Sequence, residues 1–138
     1  SVNVDLAPTI ADYAGIAMRA ADGVSLKPLF GGDPNIPERD FVVGQYYSKQ
    51  KWVNPIRMLR GSRYKYNRYR KHGEELYDLK ADPEERRNLA AEPVWRQAKE
   101  EMCRLLDQWI KNNDDPFFSQ APTARDGRVI PDAHGSDR

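Results

Sequence analysis

The densest group of chemically capable side chains lies between Pro55 and Lys71. It holds Arg57, Arg60, Arg63, Lys65, Arg68, Arg70 and Lys71, interleaved with Tyr64, Tyr66 and Tyr69 and containing no acidic residue. Cations mixed with aromatic rings can bind nucleic acid, the cations on phosphates and the rings on bases. A second reading needs no partner. Strand alternation would send the basic residues to a solvated face and the tyrosines to a core. Glu74, Glu75, Asp78, Asp82, Glu84 and Glu85 follow closely enough to neutralise the cations across strands. The alternation favours this second reading, and no nucleic-acid partner is expected.

Other candidates for chemistry are sparse. His72 and His134 are the only histidines, and neither has a metal-ligating neighbour at turn or helix spacing. Asp132, His134 and Asp137 form a short polar group in the tail that reads as solvated. The single cysteine, Cys103, falls in a helical pattern beside an apolar stripe, where cysteine acts as a small hydrophobe. No serine sits in a nucleophile-elbow pattern, and no glycine-rich loop would cradle a phosphate. Read residue by residue, the chain therefore offers no catalytic group and no metal site.

The elements around these residues follow from periodicity. Leu6, Ile10 and Tyr13 share one face of a helix that Asp5 can cap, with Pro8 in its first turn and Gly15 beyond its end. Nothing in the sequence covers that face. Asp22-Gly23 marks a turn, Ser25 to Phe30 a helical turn, and Gly31, Gly32, Pro34 and Pro37 a linker. Phe41–Tyr47 reads as a strand, Ser48–Asn54 as a polar loop, Ile56–Arg60 as a second strand and Gly61-Ser62 as a turn. Tyr64 and Tyr66 alternate with Arg63, Lys65 and Asn67 in a third strand, and Glu75–Asp78 forms a fourth after a turn at His72-Gly73. Asp82–Glu85 has the character of a helix start. Pro93–Asn112 is an amphipathic helix with Val94, Ala98, Met102, Leu105, Leu106, Trp109 and Ile110 on its stripe. The fold class is α+β: an antiparallel sheet of about four strands packed by a long C-terminal helix.

With 138 residues the chain can bury a core, although it is polar, with 39% hydrophobic residues and a mean hydropathy of -0.84. The net charge of +1 points to no class of partner. No apolar run approaches the ~18 residues of a membrane helix, so no membrane partner is expected. The chain starts at Ser1, without Met and without a signal pattern, and reads as a piece of a longer protein. Residues 1–37 read as the end of one domain plus linker, 38–115 as a subdomain, and 116–138 as an extended or disordered tail.

Three stretches in order add a resemblance. Val4-Asp5-Leu6-Ala7-Pro8-Thr9-Ile10, running on to Ala14-Gly15-Ile16, resembles a segment found late in type I sulfatases of the alkaline-phosphatase-like superfamily. Ser25-Leu26-Lys27-Pro28-Leu29 resembles their next element. Arg63-Tyr64-Lys65-Tyr66, then Glu75-Leu76-Tyr77-Asp78-Leu79, Asp82-Pro83, Glu85 and Asn88-Leu89-Ala90 resemble their C-terminal signature. The resemblance implies that the first helix is the last helix of a missing α/β catalytic domain, which would be the partner of this chain. It implies a parent enzyme that hydrolyses sulfate esters of small molecules or carbohydrates with a formylglycine nucleophile and a divalent cation, usually calcium. The formylglycine arises in a Cys/Ser-x-Pro-x-Arg motif. Cys103 is followed by Arg104-Leu105-Leu106-Asp107 and does not match it, so the catalytic residues are expected before Ser1 and the chain alone is expected to be inactive. Loops of the C-terminal subdomain border the cleft in this family, which makes Lys49, Lys51 and Trp52 candidates for a substrate rim. The alternatives are a free-standing module that binds an anion through Arg57–Lys71, and a fragment of a related phosphoester or phosphonate hydrolase.

Overall fold

A computed structural model describes residues 3–33, 39–49, 52–70 and 72–118. The chain divides into two compact units, Ser1–Arg39 and Asp40–Arg138.

The first unit opens with a 3-10 turn at Asn3–Asp5, followed by helix α1 (Leu6–Tyr13) and the one-turn helix α2 (Lys27–Phe30). Helix α1 ends as the sequence suggested. Gly15 takes the left-handed conformation at φ +70°, and the amides of Gly15 and Ile16 reach back to the carbonyls of Asp12 and Ala11. The expected cap does not form. The preceding 3-10 turn holds Asp5 in a helical conformation, and its carboxylate makes no bond to the first turn. Instead the side chain turns inward, 1% exposed, and accepts the Val24 amide at 3.0 Å. Thr9 Oγ1 donates to the Asp5 carbonyl at 2.6 Å and accepts the Leu26 amide at 2.9 Å. One turn further on, Asp12 accepts from Ser25 and Lys27. Helix α1 thus turns its polar face, Asp5–Thr9–Asp12, toward the rest of its unit. Leu6, Ile10 and Tyr13 are each more than half exposed. Gly23 is required by contact: a Cβ there would lie 2.0 Å from the Val4 carbonyl oxygen.

The second unit is a four-stranded antiparallel meander in the order β1-β2-β3-β4. The strands are β1 (Phe41–Lys49), β2 (Trp52–Gly61), β3 (Tyr64–Tyr69) and β4 (Gly73–Asp78). The loop expected at Ser48–Asn54 is replaced by ladder: Ser48 pairs with Val53 and Lys49 with Trp52. Cross-strand pairing satisfies the backbone of these polar residues, which composition alone could not reveal. The β2–β3 turn is also one residue later than expected, because Gly61 still pairs with Phe41 and Ser62-Arg63 make the bend.

After β4 the chain turns without a helix. Glu85 sits in the left-handed region at φ 56°, its carboxylate paired with Lys65. Asn88 then seals the free edge of β4. Its Oδ1 accepts the amides of Leu76 and Ala90, each at 3.0 Å, and its Nδ2 donates to the Glu74 carbonyl at 3.2 Å. A 3-10 turn at Pro93–Trp95 leads into helix α3 (Arg96–Asn112). Because a 3-10 turn winds with three residues rather than 3.6, it shifts the phase of the stripe. Val94 is 79% exposed, a correction to the expected stripe, and Trp95 packs on the core with its ring 6.2 Å from that of Tyr64. Met102, Leu106 and Ile110 close on Leu59, Tyr66, Leu76, Leu89 and Phe117 to form the core. Of the expected tail, residues 119–138 lie outside the described residues.

Replacing Asn88 by Ala removes the acceptor for two amides at a strand edge. The expected loss is about 2 kcal/mol, since a donor left unpaired in a partly buried place costs its desolvation. Urea unfolding followed by tryptophan fluorescence checks this, and Asn88→Asp, which keeps one acceptor oxygen in place, is expected to retain more stability than Asn88→Ala.

Candidate functional site

Two places collect the side chains singled out by the sequence. The first is the far end of the β1–β2 hairpin. Strand β3 pairs with β2 no further than Ile56–Tyr69, so the part of the hairpin from Tyr46 to Ile56 runs past the sheet by roughly 13 Å at the usual rise per residue. At its base the register slips: Tyr46 faces Ile56 but Ser48 faces Val53, so Asn54 and Pro55 stand opposite Tyr47 alone. This bulge accommodates Pro55, which has no amide for the ladder, and the Pro55 carbonyl accepts the Arg70 amide at 3.0 Å. Asn54 is buried beside it, and its Oδ1 meets no donor among the described residues. Of the three rim candidates, Lys49 and Trp52 are brought together as cross-strand partners at the end of this arm. Lys51 lies outside the described residues.

The second place is a polar row under helix α3. Gln45 pairs with Arg57, Arg57 with Arg68, and Arg68 with Glu74, so one line of side chains crosses all four strands. It lies two residues along from the apolar row Val43–Leu59–Tyr66–Leu76 and therefore on the same, helix-facing side. Arg57 and Asp115 are 3% and 1% exposed in their side chains and pair at 2.8 Å. Asp115 also accepts from Gln45 at 2.5 Å, and Phe117 stacks under the Arg57 guanidinium at 5.1 Å. Arg68 reaches Asp107, the Tyr66 hydroxyl and, at 2.6 Å, Cys103 Sγ. Glu74 takes the Tyr66 hydroxyl and Lys99.

These contacts correct the expectation that the basic run lies wholly on a solvated face. Arg57 stands two residues before Leu59, and Arg68 two after Tyr66, so both share the core side. That parity was readable in the sequence. Their acids were not, because Asp107 and Asp115 come from and beyond the helix, 39 and 58 residues away. Two of the foreseen neutralising acids do act: Asp78 holds Arg63 at 2.8 Å, and Glu85 holds Lys65. Cys103 faces Arg68 at the seam between sheet and helix. Among the described residues no group of three or more His, Cys, Asp or Glu side chains is placed to hold a metal ion.

The electrostatics follow from the pairing. Burial would raise the Glu74 carboxyl, but the Tyr66 hydroxyl, Lys99 and the charge of Arg68 outweigh it and hold the group below its ordinary value. The Arg63 guanidinium, helped by the amides of Lys80 and Ala81, holds Asp78 low against its burial. Burial pushes the Tyr66 hydroxyl far up, and its bond to Glu74 adds to the effect. Within the row, Glu74 is thereby held as a carboxylate beside the Arg68 guanidinium, a pair suited to holding the helix.

Two outcomes are expected. Arg57→Met strands a buried carboxylate and costs about 3–5 kcal/mol, while the double change Arg57→Met/Asp115→Leu recovers most of that loss; urea midpoints of the two variants decide it. The second concerns acid. A carboxyl whose folded pKa is depressed stabilises the fold above its unfolded value, about 3.9 for Asp, and loses that contribution as pH falls through the folded value. Asp78→Asn is therefore less stable than the parent chain at pH 7, and the gap between their urea midpoints narrows at pH 3.

Comparison with known proteins accords with this architecture. Residues 1–112 match the family described as N-sulphoglucosamine sulphohydrolase, C-terminal. The chain is 43% identical over 119 residues to the Delta 4,5-hexuronate-2-O-sulfatase of Bacteroides thetaiotaomicron, covering 84% of this chain and 25% of that protein. A solved 2-O GAG sulfatase superposes with a TM-score of 0.78 at 42% identity, over 84% of this chain and 26% of that one. The phosphonate monoester hydrolase of Agrobacterium radiobacter shares the fold, with a TM-score of 0.68 at 21% identity over 91% of this chain and 28% of that one. The chain spans about a quarter of the length of these relatives, and by the family match over residues 1–112 it belongs to the C-terminal family of sulfatases.

Proposed function

We propose that this chain is the C-terminal part of a sulfatase that hydrolyses sulfate esters on carbohydrates, and that its own tasks are to complete the catalytic part and to border the substrate cleft. The observation that carries the reading is helix α1. Its polar residues Asp5, Thr9 and Asp12 point inward, while Leu6, Ile10 and Tyr13 point out, with Leu29 and Phe30 of α2 also more than half exposed. A short helix exposing its apolar face is unstable in water. The face suits a seat on the α/β catalytic domain that the resemblance implies, and the match covers 25% of the first relative, which leaves length for such a domain.

The formylglycine nucleophile and calcium ion of the family belong to that larger part in this reading. When present they supply the nucleophile for the sulfur centre and the charge that polarises the sulfate. The residues of this chain bind and position. An ammonium at Lys49 and Lys51 suits a sulfated anion, and an indole at Trp52 suits the face of a sugar ring. The hexuronate substrate named for the first relative favours a sulfated carbohydrate over an aryl sulfate. The anion-binding module is disfavoured because Arg57, Arg63, Lys65 and Arg68 already hold carboxylates within the chain. A phosphonate hydrolase remains the second reading because it shares the fold, and parallel assays with sulfate and phosphonate esters separate the two.

In the whole enzyme, Trp52→Ala is expected to raise KM for a sulfated uronate disaccharide threefold to tenfold, with kcat within twofold, and Lys49→Ala to act in the same direction. Unchanged KM in both variants removes the arm from the cleft.

A further inference from the structure

The sheet alone does not set the direction of the β1–β2 arm. The β2–β3 ladder ends at Ile56–Tyr69, and a ribbon of two strands is marginal in water and strongly twisted. The bulge opposite Tyr47 lies at its root, and a bulge bends the strand that carries it. A swing of roughly 10° at the root of an arm about 13 Å long moves its far pair, Lys49 and Trp52, by about 2 Å. Binding groups lose much of their effect when misplaced by about 1 Å.

One carboxylate spans that root. Asp115 accepts Gln45 Nε2 from β1 at 2.5 Å, and from β2 it accepts Arg57 Nε at 3.0 Å and Nη2 at 2.8 Å. Gln45 and Arg57 are cross-strand partners, one rung inside Tyr46–Ile56, the last pair before the bulge. The guanidinium also holds the backbone of that last pair, with Nη1 3.0 Å from the Ile56 carbonyl and 3.4 Å from that of Tyr46. Asp115 is itself anchored. Its amide donates to the Ile110 carbonyl at the end of α3, and its Oδ1 accepts the Phe117 amide at 2.8 Å. Phe117 is fully buried in the core, with its ring under Arg57. All of these residues belong to the second unit, and Asp115 and Phe117 lie beyond residues 1–112 of the family match. A chain of fixed contacts therefore runs from the core, through the end of α3, to both strands of the arm where it leaves the sheet.

We propose that Asp115 is a positioning residue: by gripping Gln45 and Arg57 on one carboxylate, it fixes the direction of the arm relative to its own sheet and helix, and with it the place of Lys49 and Trp52. The inference rests on the reading of the arm as a border of the substrate cleft and deepens it. Two duties of Asp115 are then separable. Its buried pair with Arg57 sets the register of the helix, while its charge-assisted bond to Gln45 bears on the arm.

The test uses the whole enzyme with Gln45→Ala, Gln45→Lys and Trp52→Ala. Gln45 is exposed, so its replacement strands no buried charge. Three readouts are taken: hydrogen exchange, kinetics on a sulfated uronate disaccharide, and kinetics on 4-nitrophenyl sulfate, a small ester without the sugar that the arm would meet. Gln45→Ala is expected to speed exchange around Tyr46 and Ile56 at least threefold, leaving that of α3 unchanged. It is expected to raise the disaccharide KM at least threefold, with kcat and the aryl-sulfate KM within twofold. Gln45→Lys, whose ammonium reaches the same carboxylate, is expected to restore slow exchange and most of the disaccharide KM. Unchanged exchange around Tyr46 and Ile56 in Gln45→Ala overturns the proposal whatever the kinetics. Equal losses on both esters, exchange in α3 that speeds equally, or a Gln45→Lys variant no better than Gln45→Ala also overturn it, in favour of a general loosening. If Trp52→Ala leaves the disaccharide KM unchanged, the cleft reading has failed, and exchange around Tyr46 and Ile56 alone then upholds or overturns the hold of Asp115 on the arm.

Discussion

Helix α3 stays on the sheet because two rows of side chains, running side by side across all four strands, meet it there. The apolar row Val43–Leu59–Tyr66–Leu76 buries against Met102, Leu106 and Ile110, and removal of this surface from water drives the packing at about 25 cal/mol per Å². That force is indifferent to where along its axis the helix sits. The polar row supplies the missing register. Asp107 must reach Arg68, Lys99 must reach Glu74, and Asp115 must return to Arg57. A helix displaced by one turn would separate these ion pairs, and for the buried Arg57–Asp115 pair the cost is well above the net gain of the pair itself. Hydrophobic burial provides the stability, and the ion pairs select one arrangement.

The residues that mark the family are explained by the same logic. Leu76 and Leu89 fill the core, and Asp78 holds Arg63 and the amides of the turn that follows it. Asn88 covers the edge of β4 and Glu85 holds Lys65. Each side chain satisfies backbone or charge that would otherwise be stranded where the last strand ends. A pattern of this kind identifies a structural solution, and it performs no chemistry.

The first unit shows the opposite economy. Its buried side is polar and the α1 side chains Leu6, Ile10 and Tyr13 are exposed, because the short segment 22–26 presents amides and a hydroxyl to Asp5, Thr9 and Asp12. Asp5 gains most from this arrangement: in a dry setting its carboxylate binds an amide and a guanidinium more firmly than it would as an exposed cap.

The strands, both main helices and the glycine that ends α1 were legible in the sequence, since periodicity and turn chemistry act over a few residues. The sides of the sheet on which Arg57 and Arg68 lie were also written there, in their parity with Leu59 and Tyr66. Lys49 and Trp52 read as loop in the sequence, because a hairpin arm of polar residues carries no apolar alternation to announce it. What only the tertiary structure decided were the long-range partners: Asp115 for Arg57, Asp107 for Arg68, and Arg39 for Asp5 in place of a helix cap. Those choices depend on which charges are brought together once each unit has packed, and that is a property of the folded chain that no local pattern encodes.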